Sequence, residues 1–133
     1  MHADRDANES LVRQFLAAAT VGDRDTLARL AAPDITVIEA ASLPFGGRHV
    51  GLDAFQTLVR RVFTTLEDTR LSLDQFIPGP DCVMVLARLH GRSRRDGSDV
   101  EMPIAELWRI TGGLVSEITP YYFDTALMRE AAG

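Results

Sequence analysis

Apolar residues follow a helical period in the first half of the chain and a strand period in the second half. Near the N-terminus the apolar positions form one face of an amphipathic helix: Leu11, Val12, Phe15, Leu16 and Ala19. Residues 6–9 before them have the form of a capping box, and Gly22 ends the helix. Asp23 then caps a short second helix that Pro33 stops.

The strongest helical pattern lies between residues 55 and 66. Its apolar positions are spaced i, i+3, i+4, i+7, i+8 and i+11: Phe55, Leu58, Val59, Val62, Phe63 and Leu66. A short strand over residues 35–39 and a glycine-rich loop precede this helix. The helix is therefore expected to bury one side against strands from both halves of the chain.

The rest of the chain has strand patterns separated by turn residues. We expect strands over residues 70–77, 82–94, 98–110 and 114–123, and a short C-terminal helix capped by Asp124. Asp96-Gly97 is a strong hairpin signal between the second and third of these strands. The order ααβαββββ predicts an α+β fold, with helices on one side of an antiparallel sheet. A length of 133 residues indicates a single domain, residues 1–133.

Charge and composition exclude several classes of function. The net charge of −5 argues against nucleic acid or an anionic membrane as a partner. The polar N-terminus and the lack of a long apolar run favour a cytoplasmic location. One cysteine and three scattered histidines do not predict a metal site, and the absence of lysine excludes Schiff-base chemistry. We therefore expect chemistry without a metal or an organic cofactor.

The hairpin places one carboxylate on an apolar strand face. With a two-residue turn at Asp96-Gly97, Arg94 lies opposite Asp99 and Arg92 opposite Glu101, and both pairs are of opposite charge. The other face then groups apolar residues of both strands: Val83, Val85, Ala87, Leu89, Val100, Met102, Ile104, Trp108 and Ile110. Glu106 is the only charged residue among them.

A buried carboxyl group is costly unless it is hydrogen-bonded or protonated, so Glu106 is a candidate for proton chemistry. Two other interpretations remain open. A bulge near Pro103 would turn Glu106 to solvent, and a structural hydrogen bond to a helix terminus would satisfy it without chemistry. Glu39 is a second candidate, because it shares the face of Ile35 and Val37 where that strand meets the loop. It also has a solvent-facing alternative.

Two further positions carry polar groups near this predicted pocket. His49 lies in the glycine-rich loop, where a solvated side chain is the simpler interpretation. Tyr121 and Tyr122 are adjacent on the last strand, so one points inward and the other outward. The inner tyrosine either donates to a ligand or is satisfied within the core.

The chain resembles the SnoaL-like and ketosteroid isomerase-like families of the nuclear transport factor two-like superfamily. The resemblance rests on the order of the elements and on four local patterns: residues 15–23, residues 34–39, residues 47–51, and residues 106–110 followed by Gly112-Gly113 and residues 121–124. It implies a cone-shaped fold, in which a strongly curved antiparallel sheet wraps around a long helix. It also implies an apolar pocket open at one end and a homodimer formed through the sheet.

The resemblance implies roles for three positions. A general base at the end of the first strand corresponds to Glu39. A protonated carboxyl group that stabilises an oxyanion corresponds to Glu106 if one residue is inserted beside Ala105, and to Ala105 otherwise. The oxyanion-binding tyrosine of the first helix is replaced here by Phe15, which has no hydroxyl group.

These assignments predict an isomerase or a polyketide cyclase that moves a proton next to the carbonyl of a small apolar ligand. Glu39 would remove the proton and Glu106 would donate a hydrogen bond to the enolate; in a cyclase the base would instead be Asp124 or His49. The expected ligand-binding residues are Phe15, Phe55, Val59, Phe63, Trp108, Tyr121 and His49. Two alternatives are a non-catalytic ligand-binding or dimerisation module and a metal-free epoxide hydrolase. The second would use an Asp-Arg-Asp set, but Arg88 is expected on the outer face.

Overall fold

Residues 2–133 are described by the computed structural model, with side chains from residue 4 onwards. They form α1 (His2–Val21), α2 (Arg24–Leu30), β1 (Ala31–Glu39), β2 (Gly47–Val50), α3 (Leu52–Thr65), β3 (Glu67–Pro78), β4 (Cys82–Arg92), β5 (Asp99–Thr111), β6 (Leu114–Tyr122) and α4 (Thr125–Ala132). The α+β class and the order of helices before strands are confirmed. Helix α1 begins at His2, so the expected capping box at residues 6–9 lies inside the helix instead of at its start.

The six strands form one curved sheet in the order β2-β1-β6-β5-β4-β3. Neighbouring strands are antiparallel except β1 and β6, which run parallel. The sheet is therefore mixed, whereas the sequence predicted an antiparallel one. The alternation of residues within β1 does not predict its direction relative to β6. That direction depends on how the chain enters β1 from α2 and on the hairpin with β2.

Helix α3 packs against β1, β2 and β3, while α1 packs against β3, β4 and β6. Register shifts interrupt the ladders between β1 and β6, β3 and β4, and β5 and β6. Such irregularities bend a strand and increase its twist, which lets the sheet curve around α3 without closing. The core lies between the helices and the concave face of the sheet, and includes Phe15, Leu27, Val83 and Met128.

The β4–β5 hairpin differs from its predicted register by two residues. Arg92 pairs with Asp99 and His90 with Glu101, because residues 93–98 form a longer turn in which the Ser93 amide donates to the Ser98 carbonyl. Arg94 accordingly leaves the ladder and donates to the Thr64 carbonyl. An even shift keeps every side chain on its predicted face. The ladder from Arg92 to Cys82 is continuous, so the bulge considered near Pro103 does not occur.

Strand β2 occupies part of the expected glycine-rich loop. It pairs with β1 from Thr36 to Glu39; its four residues begin with Gly47 and are followed by Gly51, and these glycines have φ values of 106° and 92°. The caps of α2 and α4 follow expectation: the Asp23 carboxylate accepts from the Thr26 amide at 3.2 Å, and that of Asp124 accepts from the Leu127 amide at 2.9 Å. None of the helices in the described part of the chain is both long and apolar enough to cross a membrane.

Candidate active site

Glu39 is the last residue of β1, and the alternation of that strand turns its side chain inward with Ile35 and Val37. Only 4% of the residue is exposed, and its Oε1 atom has no hydrogen-bond partner among the residues that the structure describes. A buried carboxylate oxygen without a donor is unfavourable in its charged form. Glu39 is therefore available to a proton or to a ligand.

Glu106 lies in the middle of β5, between the buried residues Ile104 and Trp108 of the inner face. It pairs with Val85 of β4 and with Pro120 of β6, while Ala105 belongs to the opposite face of the strand. The indole Nε1–H of Trp108 donates a hydrogen bond of 3.1 Å to Glu106 Oε1. One oxygen of this inward-pointing carboxyl group therefore already accepts a hydrogen bond.

The two carboxyl groups approach each other across β6. Val37 pairs with Ile118 in the parallel ladder, so Glu39, two residues further along, lies level with Pro120, the residue that Glu106 faces from the other side. Two strand spacings separate the two backbones by about 10 Å. The side chains of Glu39 and Glu106 both point inward and span part of this distance, so a small ligand can contact both carboxyl groups.

Glu39 and Glu106 line the same cavity, between α3 and the concave face of the sheet. The cavity volume open to the centre of a water molecule is about 90 Å³. Its other lining residues are apolar except for Tyr122: Val37, Phe55, Leu58, Val59, Val62, Phe63, Leu71, Leu89, Ile104, Trp108, Ile118, Pro120 and Tyr122. The site is an apolar chamber that contains two carboxyl groups and one phenol.

Burial changes the acidity of all three polar groups. It raises the pKa of Glu39 from 4.5 to about 8, and the negative charge of Glu106 adds to this increase. Burial also raises the pKa of Glu106, but the hydrogen bond from Trp108 opposes the increase. Burial and the two carboxylates raise the pKa of Tyr122, which therefore keeps its proton at neutral pH.

The inner tyrosine is Tyr122, not Tyr121. Tyr122 lines the cavity and packs against Phe45, with the ring centroids 5.8 Å apart. Tyr121 is 54% exposed on the outer face and does not line the cavity, so the structure does not place it where the expected ligand contact would be. Strand alternation separates the two tyrosines, but the sequence does not show which of them faces inward.

Phe15 and His49 also lie away from the cavity surface, contrary to the sequence expectation. Phe15 is fully buried behind the wall, in edge-to-face contact with Phe55 and Trp108 at 5.2 and 5.3 Å. The Nε2 atom of His49 lies 2.8 Å from the Phe45 carbonyl oxygen, so this histidine holds the loop before β2. The other predicted lining residues, Phe55, Val59, Phe63 and Trp108, do line the cavity.

In the described part of the chain, neither the epoxide hydrolase nor a cyclase with Asp124 as its base has the residues it needs at the cavity. Arg88 lies on the outer face, where it forms an ion pair of 3.3 Å with Glu101, and no arginine lines the cavity in the described part of the chain. Asp124 is engaged as the cap of α4. Among the described residues, no three histidine, cysteine or acidic side chains come together as metal ligands would.

A family model for the SnoaL-like domain matches residues 12–118. The chain belongs to the SnoaL-like domain family. The match runs from the middle of α1 into β6, so it includes both Glu39 and Glu106. No curated protein sequence matches this SnoaL-like protein.

Solved structures share the fold of this SnoaL-like protein at low sequence identity. An NTF2-like protein from Burkholderia xenovorans LB400 is 23% identical, with a TM-score of 0.82 over 97% of this chain and 98% of that one. A putative SnoaL-like polyketide cyclase from Jannaschia sp. CCS1 is 18% identical, with a TM-score of 0.77 over 97% and 94%. A hypothetical protein of ketosteroid isomerase-like fold from Catenulispora acidiphila DSM 44928, in complex with trimethylamine, is 21% identical, with a TM-score of 0.69 over 90% and 91%.

Proposed function

We propose that this SnoaL-like protein catalyses proton transfer at the carbon next to the carbonyl group of a small apolar molecule, using its own side chains. The observation that carries the proposal is the pair of carboxyl groups, Glu39 and Glu106, in one apolar cavity. Burial raises the pKa of both. Where one of two such acids stays protonated while the other ionises, the ionised group is a base and the protonated group is a hydrogen-bond donor.

The reaction divides into proton removal and stabilisation of charge. The ionised carboxylate takes a proton from the carbon beside the carbonyl, and negative charge develops on the carbonyl oxygen. The protonated carboxyl group and the Tyr122 hydroxyl donate hydrogen bonds to that oxygen. The proton then returns to another carbon in an isomerase, or the enolate carbon attacks a second carbonyl carbon in a cyclase.

The apolar wall supports this chemistry by excluding water. Phe55 and Val59 line the cavity with side chains that have no hydrogen-bonding groups, and the indole N–H of Trp108 is already engaged by Glu106. Electrostatic interactions are stronger in such surroundings than in water. Phe63 lines the cavity and is 43% exposed, so it lies where the chamber meets solvent and a ligand enters.

Tyr122 takes the part that the resemblance assigns to a tyrosine of the first helix. Phe15 lacks a hydroxyl group and is buried behind the wall. Tyr122 brings a phenol to the cavity from β6, the strand between the two carboxyl groups. The oxyanion site is thus built from the last strand instead of from α1.

The test is proton exchange on small ketones. A β,γ-unsaturated cyclic ketone is followed by the ultraviolet absorbance of its conjugated isomer, and carbon-bound deuterium incorporation in D2O is followed by NMR. The wild type is expected to exceed the Glu39→Gln/Glu106→Gln double variant by a factor of about 100 or more. Equal rates for the two proteins on cyclohexenones and on steroid ketones would contradict the proposal. Ligand binding without turnover would then identify a binding module.

We also propose that the protein forms a homodimer through the outer face of the sheet. Outward residues of neighbouring strands are apolar where a solvated face would be polar: Ile77, Met84, Leu86, Leu107 and Tyr121. Ile77 and Tyr121 are 44% and 54% exposed. In light scattering, Leu107→Glu is expected to give a monomer, whereas Val21→Glu, on α1, leaves the dimer intact. A monomeric wild type would contradict this proposal.

A further inference from the structure

We infer that the indole N–H of Trp108 makes Glu106 the base and leaves Glu39 as the carboxyl group that carries the proton. This inference rests on the proposed function and reverses the roles that the family resemblance implies. It also makes Trp108, expected only to contact a ligand, a positioning residue that acts through Glu106.

The contact between Trp108 and Glu106 is directional. The Nε1–H group donates to Oε1 at 3.1 Å, within one strand and two residues apart. A donor on a carboxylate oxygen favours the ionised form, and a protonated carboxyl group accepts such a bond less well. Trp108 is only 2% exposed and is held by the edge of Phe15, so the donor has little freedom to turn away.

Glu39 has the opposite surroundings. Its Oε1 atom is buried, and none of the described residues donates a hydrogen bond that would stabilise a negative charge on that oxygen. A protonated carboxyl group costs less to bury there than an ionised one, and it offers an O–H to a ligand. The hydroxyl of a protonated Glu39 is therefore free to bind the carbonyl oxygen of a substrate.

Among the residues that the structure describes, no cation lines the cavity and reverses this preference. The titratable groups that line it are Glu39 from β1, Glu106 from β5 and Tyr122 from β6, while the lining residues from α3, β3 and β4 are apolar. His49, on β2 beside β1, is held at the Phe45 carbonyl. The negative charge of Glu106 is among the causes that raise the pKa of Glu39, which fits ionisation of Glu106 first.

The proton path then follows from the free oxygen of Glu106. Oε2 removes the proton from the carbon beside the carbonyl while Trp108 holds Oε1. The C–H electron pair moves into the enolate, whose oxygen accepts hydrogen bonds from Glu39 and Tyr122. Glu106 returns the same proton to another carbon, and Glu39 keeps its own throughout, so no co-reactant is consumed.

Paired glutamine variants distinguish the two assignments. Glutamine is neutral and its amide donates a hydrogen bond, so it replaces a protonated glutamic acid but not a base. Glu39→Gln is expected to lose less than about 10-fold in kcat, and Glu106→Gln about 1000-fold or more. Equal losses, or a larger loss in Glu39→Gln, would overturn the inference.

Trp108→Phe isolates the indole N–H, because it keeps an aromatic ring but removes the donor. The pKa on the acidic side of the kcat/KM profile is expected to rise, so that activity lost at neutral pH returns at higher pH. A purely structural role would lower activity without moving that pKa. An unchanged profile therefore contradicts a positioning role for Trp108.

A measurement without turnover separates this inference from the proposed function. Carbon-13 NMR of the glutamate carboxyl groups follows both titrations, with signals assigned by Glu39→Gln and Glu106→Gln. Glu106 is expected to ionise at a lower pH than Glu39, and the order to reverse or the gap to narrow in Trp108→Phe. If Glu39 ionises first, the inference is wrong. If Glu106 ionises first but no ketone is turned over, the proposed reaction is wrong, whereas the assignment of the proton to Glu39 stands.

Discussion

The rings of Phe15 and Trp108 are in T-shaped contact, with the ring centroids 5.3 Å apart and the planes at 77°. Phe15 thereby supports the residue that donates to Glu106, although it does not itself line the cavity. The position where the resemblance places a catalytic tyrosine has a packing role in this protein. Four expected outcomes follow from this and related contacts.

Phe15→Tyr is expected to destabilise the protein without increasing turnover. The side chain is fully buried, so the added hydroxyl would be taken from water into an apolar site, at a cost of about 1–3 kcal/mol if it stays unpaired. Chemical denaturation measures the loss, and the ketone assay measures activity. A variant that is as stable as wild type and faster would show that this hydroxyl reaches the cavity.

The pH dependence of stability should identify Glu39. The group ionises at about pH 4.5 when unfolded but at about pH 8 when folded. The folded state therefore binds more protons between these values, and stability falls as pH rises through that window. Glu39→Gln removes this dependence. The melting temperature of the variant relative to that of wild type should therefore rise from pH 5 to pH 8.

Glu130→Gln is the matched control for that experiment. Glu130 is exposed and forms a surface ion pair with Arg95. Its substitution should shift the melting temperature by a nearly constant amount across the same window. If the melting-temperature difference between Glu39→Gln and wild type is also constant, the Glu39 carboxyl group is already ionised near pH 5 in the folded protein.

Tyr122→Phe should lower kcat by about 100-fold, the usual effect of removing one donor to an oxyanion. The phenylalanine keeps the ring contact with Phe45, so the fold is expected to remain. Tyr121→Phe removes the same atom from the outer face and should leave kcat unchanged. Equal kcat values for the two variants would exclude the Tyr122 hydroxyl from the reaction.

Filling the chamber should block ligand binding without unfolding the protein. Val59 lies on α3 and lines the cavity, so the ring of Val59→Phe would occupy space that a ligand needs. The ligand Kd is expected to rise about 10-fold or more. Val50→Phe makes the same change at a residue that is 55% exposed on β2, and should bind ligand normally. Titration calorimetry distinguishes the two variants.

The inward position of Glu106 could be deduced from the sequence even though the predicted hairpin register was wrong. The longer turn moved the pairing by two residues, and an even shift preserves the side of the sheet on which each residue lies. An error of one residue would have turned Glu106 outward. The alternation of apolar residues was therefore more informative than the turn dipeptide.

Other features depended on contacts that no local pattern contains. Strand β2 has only four residues, including Arg48 and His49, and their alternation is too short to distinguish a strand from a loop. The choice between Tyr121 and Tyr122 required the register of β6 against β5. The unpartnered oxygen of Glu39 and the donor on Glu106 depend on side-chain positions that spacing alone does not determine.

The parallel pairing of β1 with β6 brings together segments about 80 residues apart in the chain, residues 31–39 and 114–122. Closing so long a loop costs conformational entropy before the contact can stabilise the sheet. Glu39 therefore reaches its place beside Glu106 only after the last strand has joined the sheet. A chain that has formed the β4–β5 hairpin but has not paired β1 with β6 has Glu106 in position and no complete cavity. Activity would therefore report on the completion of folding.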